Sequence, residues 1–268
     1  MTTPTRTEIR AGLKRLTGLS PAVQAILPRL GDENLPAQEL GQMVNQDPIL
    51  AARVLHLANS PFYGLPRQVG SLEEAVLILG ISHLRGMVLA TGLISLFADS
   101  EALASSQATA AAAGSLAKSL RQDQGMAYSA GLLHNLGALL LGHFAPEIWQ
   151  SLASAPASES VDRLSRERLA YGFDHCELGA DIAGDWHFPD VIQSAIRSHL
   201  KPPNEPTEAL TDLVHVAWTI SGQVASGELS TINPTIMQRM GLDCEAGEVS
   251  LEKARQAAID SQAALAAL

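Results

Sequence analysis

The chain is divided at short intervals by residues that begin a helix and residues that end one. Ser20-Pro21, Asp47-Pro48 and Asn233-Pro234 each place a side-chain oxygen directly before a proline. That oxygen can accept from the free N–H groups of a first helical turn, and proline at the first helical position lacks an N–H that would have no intrahelical partner anyway. Ser71-Leu72-Glu73-Glu74 has the pattern of a capping box, and Leu72, Ala75, Val76 and Leu79 follow it on one face. Gly80 closes that helix, while Pro61 and Gly64 stop the one that starts at Pro48. Alanine and leucine are abundant, β-branched runs are scarce and aromatic residues make up 4%, a mixture that favours helices over strands. No internal repeat of fixed period is visible, so the expected fold is all-α and an irregular helical bundle rather than a solenoid.

The same punctuation suggests how the 268 residues are organised. Residues 1–100 are read as an N-terminal helical lobe with helices from Pro21, Leu35, Pro48, Leu72 and Ser82, the last reaching about Phe97. The small, polar stretch Asp99 to Ser106 is read as a seam, and residues 101–268 as a second helical lobe. In that lobe Ala108–Gln122 and Met126–Phe144 are expected as two central buried helices. Ser158–Gly172 is expected as a charged surface helix that contributes solubility, with Asp162 and Arg166, and Arg163 and Glu167, spaced to pair. Asp174 caps a helix to about Trp186, Pro189 opens one to His199, and Leu210–Ala225 is a further buried helix. A short helix starts at Pro234, and an alanine-rich one runs from Ser250 to Leu268.

Charge and cysteine usage exclude several function classes. Lys and Arg number 18 against 28 Asp and Glu, a formal charge of −10, the wrong sign for covering phosphates over a broad surface. Cys176 and Cys244 form no paired spacing, so neither a disulfide framework nor a thiolate metal knuckle is expected. The longest apolar stretches, Met87–Ala98 and Ala130–Gly142, fall short of the roughly 18 residues that span a bilayer. The start of the chain lacks the basic and apolar blocks of a secretory signal, so a cytoplasmic, free-standing module is expected, with no nucleic-acid or membrane partner.

Of eight histidines, His134, His175 and His199 fall in or at the ends of expected helices with distinctive neighbours. His134-Asn135 interrupts an apolar segment, and two adjacent buried polar residues need partners. Around these residues the chain resembles the HDOD family, relatives of the HD metal-dependent phosphohydrolases. The resemblance rests on Gln46-Asp47-Pro48-Ile49-Leu50, Leu57 to Gly64, Ser71 to Val76 with Leu79-Gly80, Ala130 to Gly137, Phe173 to Ala180, Trp186 to Pro189 and Ala195 to His199. It implies bacterial signal transduction, and it implies that an active relative would hold one or two metals by a first His, a His-Asp pair, further His and a late Asp. Residue by residue, the first position falls near Ala108 or Thr109, the pair is His134-Asn135, His175 and His199 match later ligands, and the late Asp falls about at Trp218.

Three imidazoles therefore remain where both carboxylates are replaced. A catalytic ion needs anionic ligands to hold it and to acidify its water, and an amide brings no charge. The expected site is a degenerate pocket of His134, Asn135, His175, His199 and Trp218, with no catalytic residue, no metal and no cofactor. Two readings stay open for His134 with Asn135, a hydrogen-bonded polar pair that knits helices together or a residual ligand of a weak metal site, and two for His175 and His199, histidines at helix ends or the lining of a pocket shared with His134. Asn59 is read as holding backbone groups or, with Phe62 and Tyr63, as part of a partner surface. Cys176 is read as a packed thiol, and His56, His83, His143, His187 and His215 as structural. The expected function is a non-catalytic signalling pseudoenzyme that binds an unidentified protein or small molecule, in an undetermined oligomeric state. The alternative is a residual metal-dependent phosphohydrolase acting on a nucleotide or cyclic dinucleotide.

Overall fold

The computed structural model describes residues 3–13, 21–29, 32, 34–59, 67–81, 84, 88, 92, 101–153, 162–186, 188–204, 208–227 and 231–266. Among them every regular element is helical: α1 (Arg6–Leu13), α2 (Pro21–Ile26), a 3₁₀ turn (Leu27–Arg29), α3 (Ala37–Asn45), α4 (Pro48–Ala58) and α5 (Leu72–Leu79) precede residue 100. After it come α6 (Glu101–Ser119), α7 (Gln124–Leu133), α8 (Leu136–Phe144), α9 (Pro146–Ala153), α10 (Arg163–Tyr171), α11 (His175–Asp185), α12 (Asp190–Ser198), α13 (Ala209–Ser226), α14 (Pro234–Arg239) and α15 (Glu245–Ala266).

Ser20 lies outside the described residues, and the other expected caps form. Ser71 accepts from the Glu74 N–H, Asp174 from Glu177, Asn233 from Thr235, and Asp47 from Leu50, each satisfying a donor that the first turn leaves free. The return arm of the box at Ser71 lands one residue early, because Glu74 accepts from the Gly70 N–H. The expected helix from Ser82 lies mostly outside the described residues, although Leu84 and Val88 are buried.

Four readings need correction. Residues 101–106 are the start of α6 rather than a seam, and Ser106 is fully buried. A run of small polar residues fits a tightly packed helix as well as it fits a loop. The last helix begins at Glu245, five residues before Ser250. Asp162 does not pair with Arg166: it caps α10 by accepting from the Ser165 N–H and faces Lys201. Finally, the single helix expected over Met126–Phe144 is broken at His134 and Asn135. The His134 ring Nδ1 lies 2.6 Å from the Gly131 carbonyl, the acceptor that an unbroken helix would give to the Asn135 N–H.

The break lets α7 and α8 point at different neighbours. A Cβ on Gly131 would lie 2.9 Å from Ala110 Cα and 3.0 Å from the Thr109 carbonyl, so α7 meets α6 backbone to backbone. A Cβ on Gly137 would lie 1.9 Å from the His175 carbonyl oxygen, so α8 meets the start of α11 as closely. The larger hydrophobic core takes residues from both sides of residue 100, including Ile9, Leu40, Val54, Leu72, Leu132, Leu140 and Ile196. A second core is mostly alanine, with Ala108, Ala112, Ala113, Ala117, Ala217, Ala254 and Ala258 joining α6, α13 and α15. The alanine-rich C-terminal helix thus docks by its small face. On the outer side, α1 is tied to α11 by Arg6 with Glu177 and Asp181, and by Arg10 with Asp185. Such partly exposed pairs fix orientation more than they add stability.

Candidate functional site

Three helix ends and two tryptophan-bearing helices converge on a buried polar cluster. His134 follows the last residue of α7, His199 follows the last residue of α12, and His175 with Cys176 opens α11. Their exposures are 0%, 1%, 3% and 1% in that order. The His134 and His199 ring centroids are 4.8 Å apart and those of His175 and His199 are 5.8 Å apart, both edge-on. Trp218 from α13 packs edge-on 6.1 Å from His199, and Trp149 from α9 lies 6.0 Å from His175. The structure brings His134, His175, His199 and Trp218 together, and Asn135, half-buried, follows His134 as the residue that precedes α8.

The hydrogen bonds assign the tautomers. His134 Nδ1 faces the Gly131 carbonyl and His199 Nδ1 faces the Ile196 carbonyl at 2.8 Å. A carbonyl only accepts, so each Nδ1 carries the hydrogen and each Nε2 keeps its lone pair. Both histidines thereby also satisfy a last-turn carbonyl of the helix they follow. His175 Nδ1 donates to Glu167 at 2.7 Å, and the same carboxylate oxygen accepts the His175 backbone N–H at 2.9 Å. Cys176 Sγ lies 3.5 Å from His175 Nε2 and 3.8 Å from His199 Nδ1. The His134 Nε2 is buried and meets no hydrogen-bond partner.

Burial keeps most of these groups neutral. It pushes His134 down to about 4 and holds His199 well below the ordinary imidazole range, with the neighbouring histidines adding to the effect. It pushes the Cys176 thiol far up, helped by the nearby carboxylates of Asp174 and Glu167. Burial also works to raise Glu167, but the hydrogen bond from the His175 ring and the charge beside it outweigh that, and the carboxyl stays below its usual range. Around the cluster, His215 Nδ1 donates to the His199 carbonyl at 2.7 Å, and Thr109 bonds to Ser221 at 2.7 Å.

Two members escaped the sequence reading. Glu167 looked like the outer half of a surface pair with Arg163, and that pair does form at 2.9 Å, but the carboxylate is fully buried and its second oxygen holds His175. The signal was available in the spacing: Leu164, Glu167 and Tyr171 are the buried stripe of α10, so the acid falls in an apolar row. Cys176 looked like a packed thiol without a base, whereas a base and an orienting acid stand beside it, in a closed interior rather than a cleft. Asn59 spends its amide on backbone, donating to the Leu55 and Val69 carbonyls and accepting the Val69 N–H. Phe62, Tyr63, His83 and His187 lie outside the described residues, as does the His56 side chain.

An HD-type fold implies a hard divalent ion held by histidines and aspartates. The donors present do not fit that ion: the position paired with His134 is Asn135, the position of the late acid is Trp218, and Glu167 is turned to the far nitrogen of His175. Hard cations of this kind prefer carboxylate oxygens.

The family model described as the HDOD domain matches residues 16–202. An uncharacterized protein of Treponema pallidum (strain Nichols) is 28% identical over 174 residues, which is 62% of this chain and 34% of that protein. The chain thus spans about a third of the length of that curated relative. Among solved structures, a candidate phosphohydrolase from Shewanella amazonensis SB2B superposes with a TM-score of 0.73 at 24% identity, covering 96% of this chain and 97% of its own. A candidate signal transduction protein from Marinobacter aquaeolei VT8 superposes with a TM-score of 0.68 at 26% identity, covering 98% of this chain and 65% of its own.

Proposed function

Because the chain belongs to the HDOD domain family, we propose that it is a signal-transduction module that works by binding a protein or small molecule, and that its HD-like site does not hydrolyse phosphoesters. One observation carries this reading: the site is closed and acid-poor. His134, His175, Cys176 and His199 are each at most 3% exposed, and among the described residues the carboxylate that bonds to a cluster side chain, Glu167, is committed to orienting His175. Phosphoester hydrolysis by a metal-bound water needs an open coordination position and room for a phosphate. Tryptophan in place of the late acid fills space instead of supplying a ligand. The Marinobacter relative, described as a signal-transduction candidate, agrees with the binding role; the Shewanella structure, at 24% identity, speaks for the fold alone.

The test is hydrolysis of bis(p-nitrophenyl) phosphate and of a panel of nucleotides and cyclic dinucleotides, each with Mn²⁺, Fe²⁺ or Mg²⁺. The expected rate equals the protein-free control, and Asn135→Asp alone does not raise it, because the late carboxylate is still missing. Turnover that scales with protein concentration and with bound Mn²⁺ or Fe²⁺ would establish the residual phosphohydrolase instead.

A further inference from the structure

We infer that His175, Cys176 and His199, completed by His134, form a closed zinc-type metal centre, a site different in donor chemistry and in purpose from the acid-rich one an HD fold implies. It rests on the reading of the site as non-catalytic. One ligand atom from each of His175, Cys176 and His199 lies within 4.8 Å of the other two. A tetrahedral zinc, with about 2.3 Å to sulfur and about 2.0–2.1 Å to nitrogen, sets its sulfur and nitrogen donors about 3.5 Å apart. The Cys176 sulfur lies 3.5 Å from His175 Nε2, already at ligand spacing, and 3.8 Å from His199 Nδ1, whose hydrogen is given to Ile196, so His199 is the donor that must rearrange.

The outer contacts are those that ligating histidines need. An imidazole that binds a metal through one nitrogen usually donates the other N–H to a carboxylate or a backbone carbonyl, which fixes its tautomer. His175 does this to Glu167 and His134 to Gly131. The His134 Nε2 supplies the independent observation: it is fully buried, holds a lone pair and meets no partner. Its ring centroid is 4.8 Å from that of His199; His134 stands next to the three-residue group rather than within it, and would complete the fourth position by moving its ring toward them. His199 takes part by turning its ring to bring Nε2 round, or by giving up the bond from Nδ1 to Ile196.

Charge favours a divalent ion with one thiolate. The Cys176 thiol gives up its proton to solvent as the metal–sulfur bond forms, and that thiolate together with the Glu167 carboxylate cancels two positive charges in a space where an unbalanced charge would be costly. Sulfur and imidazole select zinc over Mg²⁺ or Mn²⁺. Four protein donors leave no position for water, so the ion would brace α7, α11 and α12 without hydrolysing anything.

The experiment uses the full chain, stripped of metal and then loaded with Zn²⁺ or Co²⁺. One zinc per chain should survive gel filtration and raise the melting temperature, and Co²⁺ should give tetrahedral visible bands with a thiolate charge-transfer band. In Cys244→Ser the only thiol left is Cys176, so both signals should persist there whether or not a Cys176 variant folds. Cys176→Ser should lose the charge-transfer band and bind zinc more than about 100-fold more weakly. A wild-type chain retaining well under one zinc, a cobalt spectrum without thiolate character, or loss of the band in Cys244→Ser would overturn the inference while leaving the non-catalytic reading standing. Phosphoester turnover by the zinc-loaded chain would overturn that reading.

Discussion

Glu167 has two partners of opposite kinds. Arg163 reaches it from a half-exposed position, while His175 approaches from inside with both its ring and its backbone N–H. An ion pair at the rim is screened and contributes at most about 1 kcal/mol. Removing the carboxylate strands two buried donors of His175, each costing about 1–3 kcal/mol when left unmade. Arg163→Ala should therefore lower stability by less than about 1 kcal/mol and Glu167→Ala by about 3–5 kcal/mol, as read from urea denaturation midpoints at neutral pH. Equal losses would mean that the surface pair, visible from the i, i+4 spacing, is the whole role of Glu167. The sequence offered that spacing as the simpler explanation. His175, His199 and His134 could be singled out because polar residues inside apolar segments require partners. Which partner each one finds depends on helices far apart in the chain, and local spacing carries no such information.

At the scale of elements, the site is assembled by helix crossings that only glycine permits. The Gly137 Cα sits where an added methyl would strike the His175 carbonyl oxygen at 1.9 Å, its carbon at 2.8 Å and the Gly179 nitrogen at 2.9 Å. All three are backbone atoms and cannot swing aside as a side chain would, so α8 and α11 must separate. Gly222 on α13 is the contrasting case, helical and exposed, with nothing within 4 Å of its added Cβ. Gly137→Ala should cost about 3 kcal/mol or more, and Gly222→Ala should stabilise by about 0.5–1 kcal/mol through helix propensity. Both follow from chemical denaturation, and a neutral Gly137→Ala would show that the crossing is looser than described. Helix starts were legible, because a cap is a local bargain between one side chain and one backbone N–H: Ser71, Asp174 and Asn233 all behave as their neighbours suggest. The break at His134 was not legible. Gly131 to Phe144 is apolar enough to continue as one helix, and it stops because the His134 ring takes a carbonyl and because α7 and α8 have different backbones to meet.

Over the whole molecule, the histidine cluster joins the helices that hold both cores, so its protonation bears on the stability of the entire chain. His134 titrates near 4 when folded and near 6.5 when unfolded, and His199 is displaced in the same direction by burial and by its histidine neighbours. Between those values the unfolded chain binds protons that the folded chain refuses. Stability is therefore fully present above about pH 6.5 and is lost as the pH falls toward 4. Each unit of displacement corresponds to about 1.4 kcal/mol, so His134 alone accounts for a few kcal/mol, a large share of the roughly 5–15 kcal/mol that holds a folded chain together. Glu167 does not offset this over the same interval, because its carboxyl is already held below its ordinary range and stays ionised. Denaturation midpoints of the metal-free chain should be flat from pH 8 to 7 and should fall steeply from 6.5 to 4.5. The loss should appear in one cooperative transition, since Leu132 and Leu133, next to His134, belong to the larger core and Ala127 of the same helix belongs to the second. Midpoints that stay level down to pH 5 would mean that the imidazoles are open to water in solution, and with that the closed site on which the non-catalytic reading depends would be lost.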